Sequence, residues 1–313
     1  MLNTPQTLSP QVQNWVDDVL ISTNHPSHIA AIGAEESVMK SKNGDYFTRS
    51  RYEKLPLGLV PLNGQPTNGV EVKRLEVSAK VQYYGLFQAV FQNVELHNSD
   101  PVLNSLAQLN GLSMKGTEDH LLMEKMRSAS GYLNATGGTN GDLSSSISEA
   151  DVLEAISTLR QNDAVMLMVG EEGRSAYGTA PIFDAFIAKT HTKVIKDLYN
   201  LMNFKPKWEY PMGAAGCASS EEGSLYNTRF FLSSASTVIK NGSAQGADVY
   251  PIYIHGQEAI GKVQMDNFSA GLRYRPPVYS DPLFQNFTIG WVAALVPYLV
   301  NELNIVKLNV TLA

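Results

Sequence analysis

DPVLNSLAQLNGLSMKGTEDHLLMEKMR, residues 100–127, decides the fold, because the chain before it and the chain after it are patterned differently. Asp100 can cap a helix and Pro101 suits the first turn. Val102, Leu103, Leu106, Leu109 and Leu112 recur every three to four residues, and Leu122, Met123 and Met126 resume the stripe past Gly111 and Gly116. The spacing predicts one long helix, weakened by two glycines. At 1.5 Å per residue it reaches roughly 40 Å, the span of a domain, and acts as a backbone for the subunit.

Upstream, Ser9-Pro10 signals a helix start, and Val12, Trp15, Val16, Val19 and Leu20 form the cleanest amphipathic stripe in the chain. Polar and small residues across 22–46 put this helix on a long leash, so it can dock on its own domain or on a neighbour; docking outside its own core is the expectation. Residues 46–55 and 70–81 read as the two arms of a hairpin. In the second arm Val70 and Val72 fall out of phase with Leu75, Val77, Ala79 and Val81, which suggests a bulge at Lys73-Arg74. The tip, 56–69, carries three prolines, three glycines and also Leu57, Leu59, Val60 and Leu62. A two-stranded hairpin with an apolar tip is marginal in water unless something covers it, and the expected cover is another copy of the chain. Val12, Trp15, Val16, Val19, Leu57, Leu59, Val60 and Leu62 are therefore the expected subunit-interface residues.

Downstream, residues 83–96 lead into the long helix and 131–146 read as a glycine-rich loop. Ser148 with Asp151 makes a capping-box-like start for a helix carrying Val152, Ala155, Ile156 and Leu159. Residues 164–169 predict a short buried strand. Phe183, Phe186, Ile187, Val194, Leu198 and Leu201 predict a helix over 182–202. Strands are expected at 228–232 and 249–255. The C-terminus reads as a long hairpin, 284–300 and 305–312 around the turn 301–304, with Trp291 in the core. Helices and strands alternate irregularly, so the class is α+β.

The chain has 313 residues, 43% of them apolar, enough for a sizeable core and two domains. A formal charge of −6 argues against a counterion-releasing nucleic-acid binder; a container with phosphate-repelling walls remains compatible. One cysteine, Cys217, excludes an internal disulfide framework. No signal-peptide pattern is visible, and the longest apolar run, 289–300, is too short to span a bilayer. Chemistry is sparse. The run Gly173 to Gly178 around Ser175 misses the nucleophile elbow by one residue, and the phosphate-loop spacing of Gly111 and Gly116 lacks the lysine. The pairs Glu35-Glu36, Glu171-Glu172 and Glu221-Glu222 read as solvated loops, and the six histidines show no metal-ligand spacing. No catalytic residue, metal ligand or cofactor is expected.

The order of parts resembles a known family. Leu55-Pro56-Leu57 through Pro61-Leu62, the strand ending Val81-Gln82-Tyr83-Tyr84-Gly85, and Asp100-Pro101 with the long helix are similar to the major capsid proteins of tailed phages typified by coliphage N-four. Asp281-Pro282-Leu283, Ile289-Gly290-Trp291 and Asn301 to Val306 resemble that family's C-terminal block. The resemblance covers about a third of the chain and implies the Hong Kong ninety-seven type of capsid fold. Its parts would be an N-terminal arm (1–45), an extended loop with its return strand (46–99), a peripheral domain with a spine helix (100–145 and 272–313) and an axial domain (146–271). It further implies a non-enzymatic homo-oligomer of pentamers and hexamers enclosing double-stranded DNA without sequence-specific binding. Portal and scaffolding proteins, and a decoration protein, would be partners; the product would be a virion capsid assembled in the bacterial cytoplasm, with no membrane. The rival readings are an encapsulin-like nanocompartment shell and a serine hydrolase using Ser175.

Overall fold

The computed structural model describes residues 2–3, 27–40, 44–55, 69–91, 102–136, 144–168, 184–210, 220–243, 246–265, 271–276 and 285–312. The long helix, α1, runs Val102–Arg127. Its stripe divides between two sheets. Leu103 and Leu106 pack on Val90 and Phe287, and Met114 and Leu121 on Trp291, Ala293 and Leu295. The last turns bury Leu122, Met123 and Met126 against Ile187, Phe231, Tyr253 and Ile305. Leu109 instead faces solvent, and Asn110 takes the buried place, donating to Gln88 Oε1 at 2.7 Å.

The first sheet has six strands. β1 (Leu2–Asn3), β5 (Gln82–Phe91), β15 (Asn286–Leu299), β13 (Ile260–Met265) and β2 (Glu35–Met39) follow in that order, and β14 (Gly271–Arg275) also pairs with β15. The second has eight: β6 (Tyr132–Asn134), β16 (Ile305–Val310), β12 (Tyr250–His255), β8 (Asp184–His191), β11 (Thr228–Ser233), β10 (Glu221–Leu225) and β9 (Lys205–Pro206), with β7 (Leu167–Met168) beside β8. Alternation sets its two faces. Val306, Ile252, Ile254, Phe186 and Phe230 meet Val152, Ala155, Ile156 and Leu159 of α2 (Glu149–Gln161), whereas Ile305, Tyr253, Ile187 and Phe231 meet α1. The capping box of α2 is complete, with Ser148 and Asp151 each satisfying the other's backbone N–H.

Several sequence expectations are corrected here. Residues 182–202 are not one helix: β8 is followed by a 3-10 turn, Thr192–Val194, and a short helix α3, Ile195–Tyr199. Residues 185–190 are all buried because β8 is central and covered on both faces, so no period of two survives to mark a strand. The C-terminal strands do not form a hairpin. β15 already has β5 on one edge and β13 with β14 on the other, so β16 turns at the 3-10 segment Glu302–Asn304 and enters the eight-stranded sheet beside β12. Among the described residues of the expected strand 164–169, the two-residue β7 alone is strand and Val165 is exposed, and 131–146 contains β6. Trp291 is buried, as expected.

Candidate functional site

The hairpin of β3 (Tyr46–Tyr52) and β4 (Arg74–Lys80) forms a separate two-stranded sheet. Seven residue pairs, Tyr46↔Lys80 to Tyr52↔Arg74, run without a register shift. The expected bulge is absent from this ladder: Val70 and Val72 fall out of phase because they precede the strand. The base is anchored. Phe47, Val77 and Ala79 pack on Met39, Val263, Ala294 and Tyr298, on the face of the six-stranded sheet opposite α1. The Phe47 and Tyr298 rings lie 5.1 Å apart. Arg49 donates to the Tyr298 hydroxyl at 3.3 Å and pairs with Glu35, and these two partners hold its guanidinium above the usual arginine range. Gly261 lies beneath that tyrosine, where any Cβ would stand 2.6 Å from the ring.

Away from the base the hairpin is tied to the end of α2 by Lys54, which pairs with Asp163 at 2.6 Å, but its outer apolar side chains are uncovered. Tyr52, Leu55, Val70 and Val72 are all more than half exposed. Beyond the hairpin, the same sheet face continues with Phe87, 74% exposed, and Tyr83, 58% exposed. Large apolar side chains left in water mark places where another surface belongs.

A second feature lies inside. Asp119 Oδ1 accepts the N–H of Ala30 at 2.6 Å, and Lys189 Nζ donates to the carbonyl of the same residue at 2.8 Å. One residue, Ala30, thus joins α1, the eight-stranded sheet and the chain leading to β2. Burial pushes the Lys189 ammonium down to about 7, with Asp119 opposing, and pushes the Asp119 carboxyl up. His255, fully buried nearby, is held well below its ordinary value by burial and by Lys189. Gly33, at φ +69, brings this segment within about 3 Å of His255, Leu167 and Ile187, where a Cβ would fall. On the other side of α1, burial lowers Lys262, but Glu118 at 2.5 Å and Glu36 at 2.7 Å together raise it further.

All eight expected interface residues, Val12, Trp15, Val16, Val19, Leu57, Leu59, Val60 and Leu62, lie outside the described residues, as do Ser175 and Cys217. The arms that carry the tip are described and paired as expected. Sequence reasoning missed the anchor of Arg49, Glu35 and Tyr298 and the buried pin at Ala30. Two acidic pairs are also corrected: Glu35 is ion-paired in β2, and Glu221 is fully buried, meeting the Tyr210 hydroxyl at 3.2 Å. Among the described residues no cluster of three or more metal-ligating side chains occurs, and no helix is long and apolar enough to cross a membrane.

No family model and no curated protein matches the sequence. Solved structures do match. The capsid of Ralstonia phage GP4 superposes with a TM-score of 0.66 at 9% identity, over 97% of this chain and 96% of that one. This chain has a phage-capsid fold. The capsid of Cyanophage P-SCSP1u gives 0.65 at 12% identity over 96% and 93% of the two chains. The acidic stable capsid of Helicobacter pylori bacteriophage KHP30 gives 0.66 at 10% over 99% and 97%. The Hong Kong ninety-seven type of α+β fold thus extends over nearly the whole chain, although sequence identity has fallen to about the level of unrelated proteins.

Proposed function

We propose that this chain is the major capsid protein of a tailed phage, a structural subunit rather than an enzyme. The observation that carries this reading is an anchored hairpin that projects uncovered apolar residues, within a fold matched end to end by phage capsids. Copies assemble as pentamers and hexamers into an icosahedral head around double-stranded DNA, in the host cytoplasm, and remain in the virion. Portal and scaffolding proteins, and a decoration protein, are its natural partners. The resemblance of the sequence blocks at both ends supports a coliphage N-four-like subunit.

Residues 1–45 serve as the arm and 46–99 as the extended loop with its return strand. Residues 100–145 with 272–313 make the peripheral part, and 146–271 the axial part. Strand pairing trades a few segments between the last two: β13 pairs with β15, and β6 and β16 join β12. The net charge of −6 suits a wall that confines DNA without gripping it.

Electron microscopy of the chain expressed with its scaffolding partner tests the reading. Closed shells or capsomer sheets are expected, and DNA in mature particles separates a phage head from a nanocompartment. A discrete monomer with ester-cleaving activity lost in Ser175→Ala would overturn it.

A further inference from the structure

β5 has one edge fully paired and one edge mostly open. β15 pairs with it from Gln82 to Phe91 without a register shift. On the other edge the two-residue β1 meets Ala89 and Val90, and among the described residues no strand lies beside the stretch before them. β1 runs parallel to β5, so its direction leads toward Phe91 and away from Tyr83. A regular edge strand left open is a template for another strand, and the usual devices that blunt it are missing. Residues 81–94 contain neither a charge nor a proline, and the ladder with β15 has no bulge.

The neighbours of β5 set its two faces. Tyr83 and Phe87 lie on the hairpin side, opposite Ala294 and Gly290 of β15, and Ala294 packs beneath the hairpin. Tyr84 and Leu86 lie on the α1 side, opposite Ala293 and Trp291. Tyr83, Leu86 and Phe87 are 58%, 48% and 74% exposed. Gly85 stands between the two faces' large residues, where any Cβ would come 2.9 Å from the Trp291 carbonyl oxygen.

This pattern complements itself. Directly opposed residues of an antiparallel pair project from the same face, so a twofold axis relating two copies of one strand must fall on a residue and not between two. With the axis at Gly85, Tyr83 opposes Phe87, Tyr84 opposes Leu86 and glycine opposes glycine. Aromatic side chains then meet across the hairpin side, a stabilising cross-strand pair, and no charge meets its like. Moving the axis one residue earlier would set Phe87 against Val81, whose N–H already donates to Asp45 at the hairpin base. Moving it one residue later would set Tyr83 against Ala89, where β1 holds the edge.

We propose that the open edge of β5 pairs antiparallel with the same edge of a second copy, about a twofold axis at Gly85, joining two six-stranded sheets into one. The inference rests on the shell reading above and adds to it the contact made at a twofold axis.

The test uses the full chain in a Cys217→Ser background. Chains carrying Tyr83→Cys are co-assembled with chains carrying Phe87→Cys, oxidised and run on a non-reducing gel. Directly opposed residues lie about 4.5–5.5 Å apart at Cα, within disulfide reach. The same position in the two copies is offset by four residues, roughly 13 Å, so neither variant links to itself. A covalent dimer is expected from the mixture at about tenfold or more over either variant alone, because pairing raises the effective concentration of the two thiols. Tyr83→Lys with Phe87→Lys sets ammonium against ammonium. It should prevent closed shells while the subunit unfolds as cooperatively as its parent, and an equal mixture with chains carrying Tyr83→Glu and Phe87→Glu should restore closure. Closed shells with no dimer from the cysteine mixture, or closed shells from the lysine variant alone, would overturn this inference and leave the shell reading standing. A link from Phe87→Cys to a scaffolding protein, with no dimer, would overturn it in favour of that occupant. Failure of the parent chain to assemble at all would overturn both.

Discussion

Lys189 is an ammonium group in a core position, and its behaviour with pH follows from that placement. Its folded-state pKa, about 7, lies below the ordinary lysine value of 10.5. Between those values the unfolded chain binds the extra proton, so Lys189 makes stability rise with pH across that window. Asp119 acts with the opposite sign: its pKa is raised on folding, so its contribution diminishes as pH rises from the ordinary carboxylate range. His255 is held neutral, so stability falls as pH drops below the ordinary histidine value of 6.5. In denaturant unfolding of unassembled subunits, wild type should therefore gain on Lys189→Met between about pH 7 and pH 10. A constant difference would show that Lys189 keeps its charge throughout. Asp119→Ala removes the acceptor for Ala30 and the counter-charge to Lys189, and should cost about 3 kcal/mol at neutral pH. None of this was legible in the sequence. In the run of β8, Ala185 to Lys189, the lysine looks like the polar side of an amphipathic segment, and only the packing of α1 and Ala30 over it makes it a pin.

Elements were legible where their signals are local. The stripe of α1 and the capping box of α2 are written within a few turns, and both helices stand where the sequence places them. Ser148→Ala should destabilise the subunit by about 1 kcal/mol in denaturant unfolding, the usual cost of a lost cap. The arms of the hairpin were legible because β3 and β4 are uncovered on one face and alternate cleanly. β8 failed for the converse reason, and the partner of β16 failed because choice of sheet depends on which edges other strands have filled. The hairpin's anchor also depends on distant residues. Phe47→Ala should loosen β3 and β4 from Tyr298 at about 1–2 kcal/mol of lost burial. The hydrogen-exchange protection of their amides should fall while that of β15 persists. Equal loss in β15 would mean that the hairpin is integral to the six-stranded sheet.

At the scale of the whole molecule, α1 ties the two sheets together and the hairpin leaves them. The fold buries its own apolar surface well, down to Trp291, Tyr253 and Tyr298, yet it leaves Phe87, Tyr83 and the outer hairpin in water. Such a subunit is complete as a folded body and incomplete as a surface. Leu57, Leu59, Val60 and Leu62, the interface residues expected from the sequence, would each contribute roughly 1.5–3 kcal/mol on burial by a neighbour. In the proposed shell such contacts would repeat at every copy. We propose that the hairpin tip joins subunits and has no part in folding them. Replacing residues 56–69 by an Asn-Gly turn isolates that claim, because the paired strands β3 and β4 and both sheets lie outside the deletion. Electron microscopy of this variant beside wild type is the most direct measurement. Wild type should give closed shells, and the variant should give folded, cooperatively unfolding subunits with no closed shells; normal shells from the variant would contradict the account.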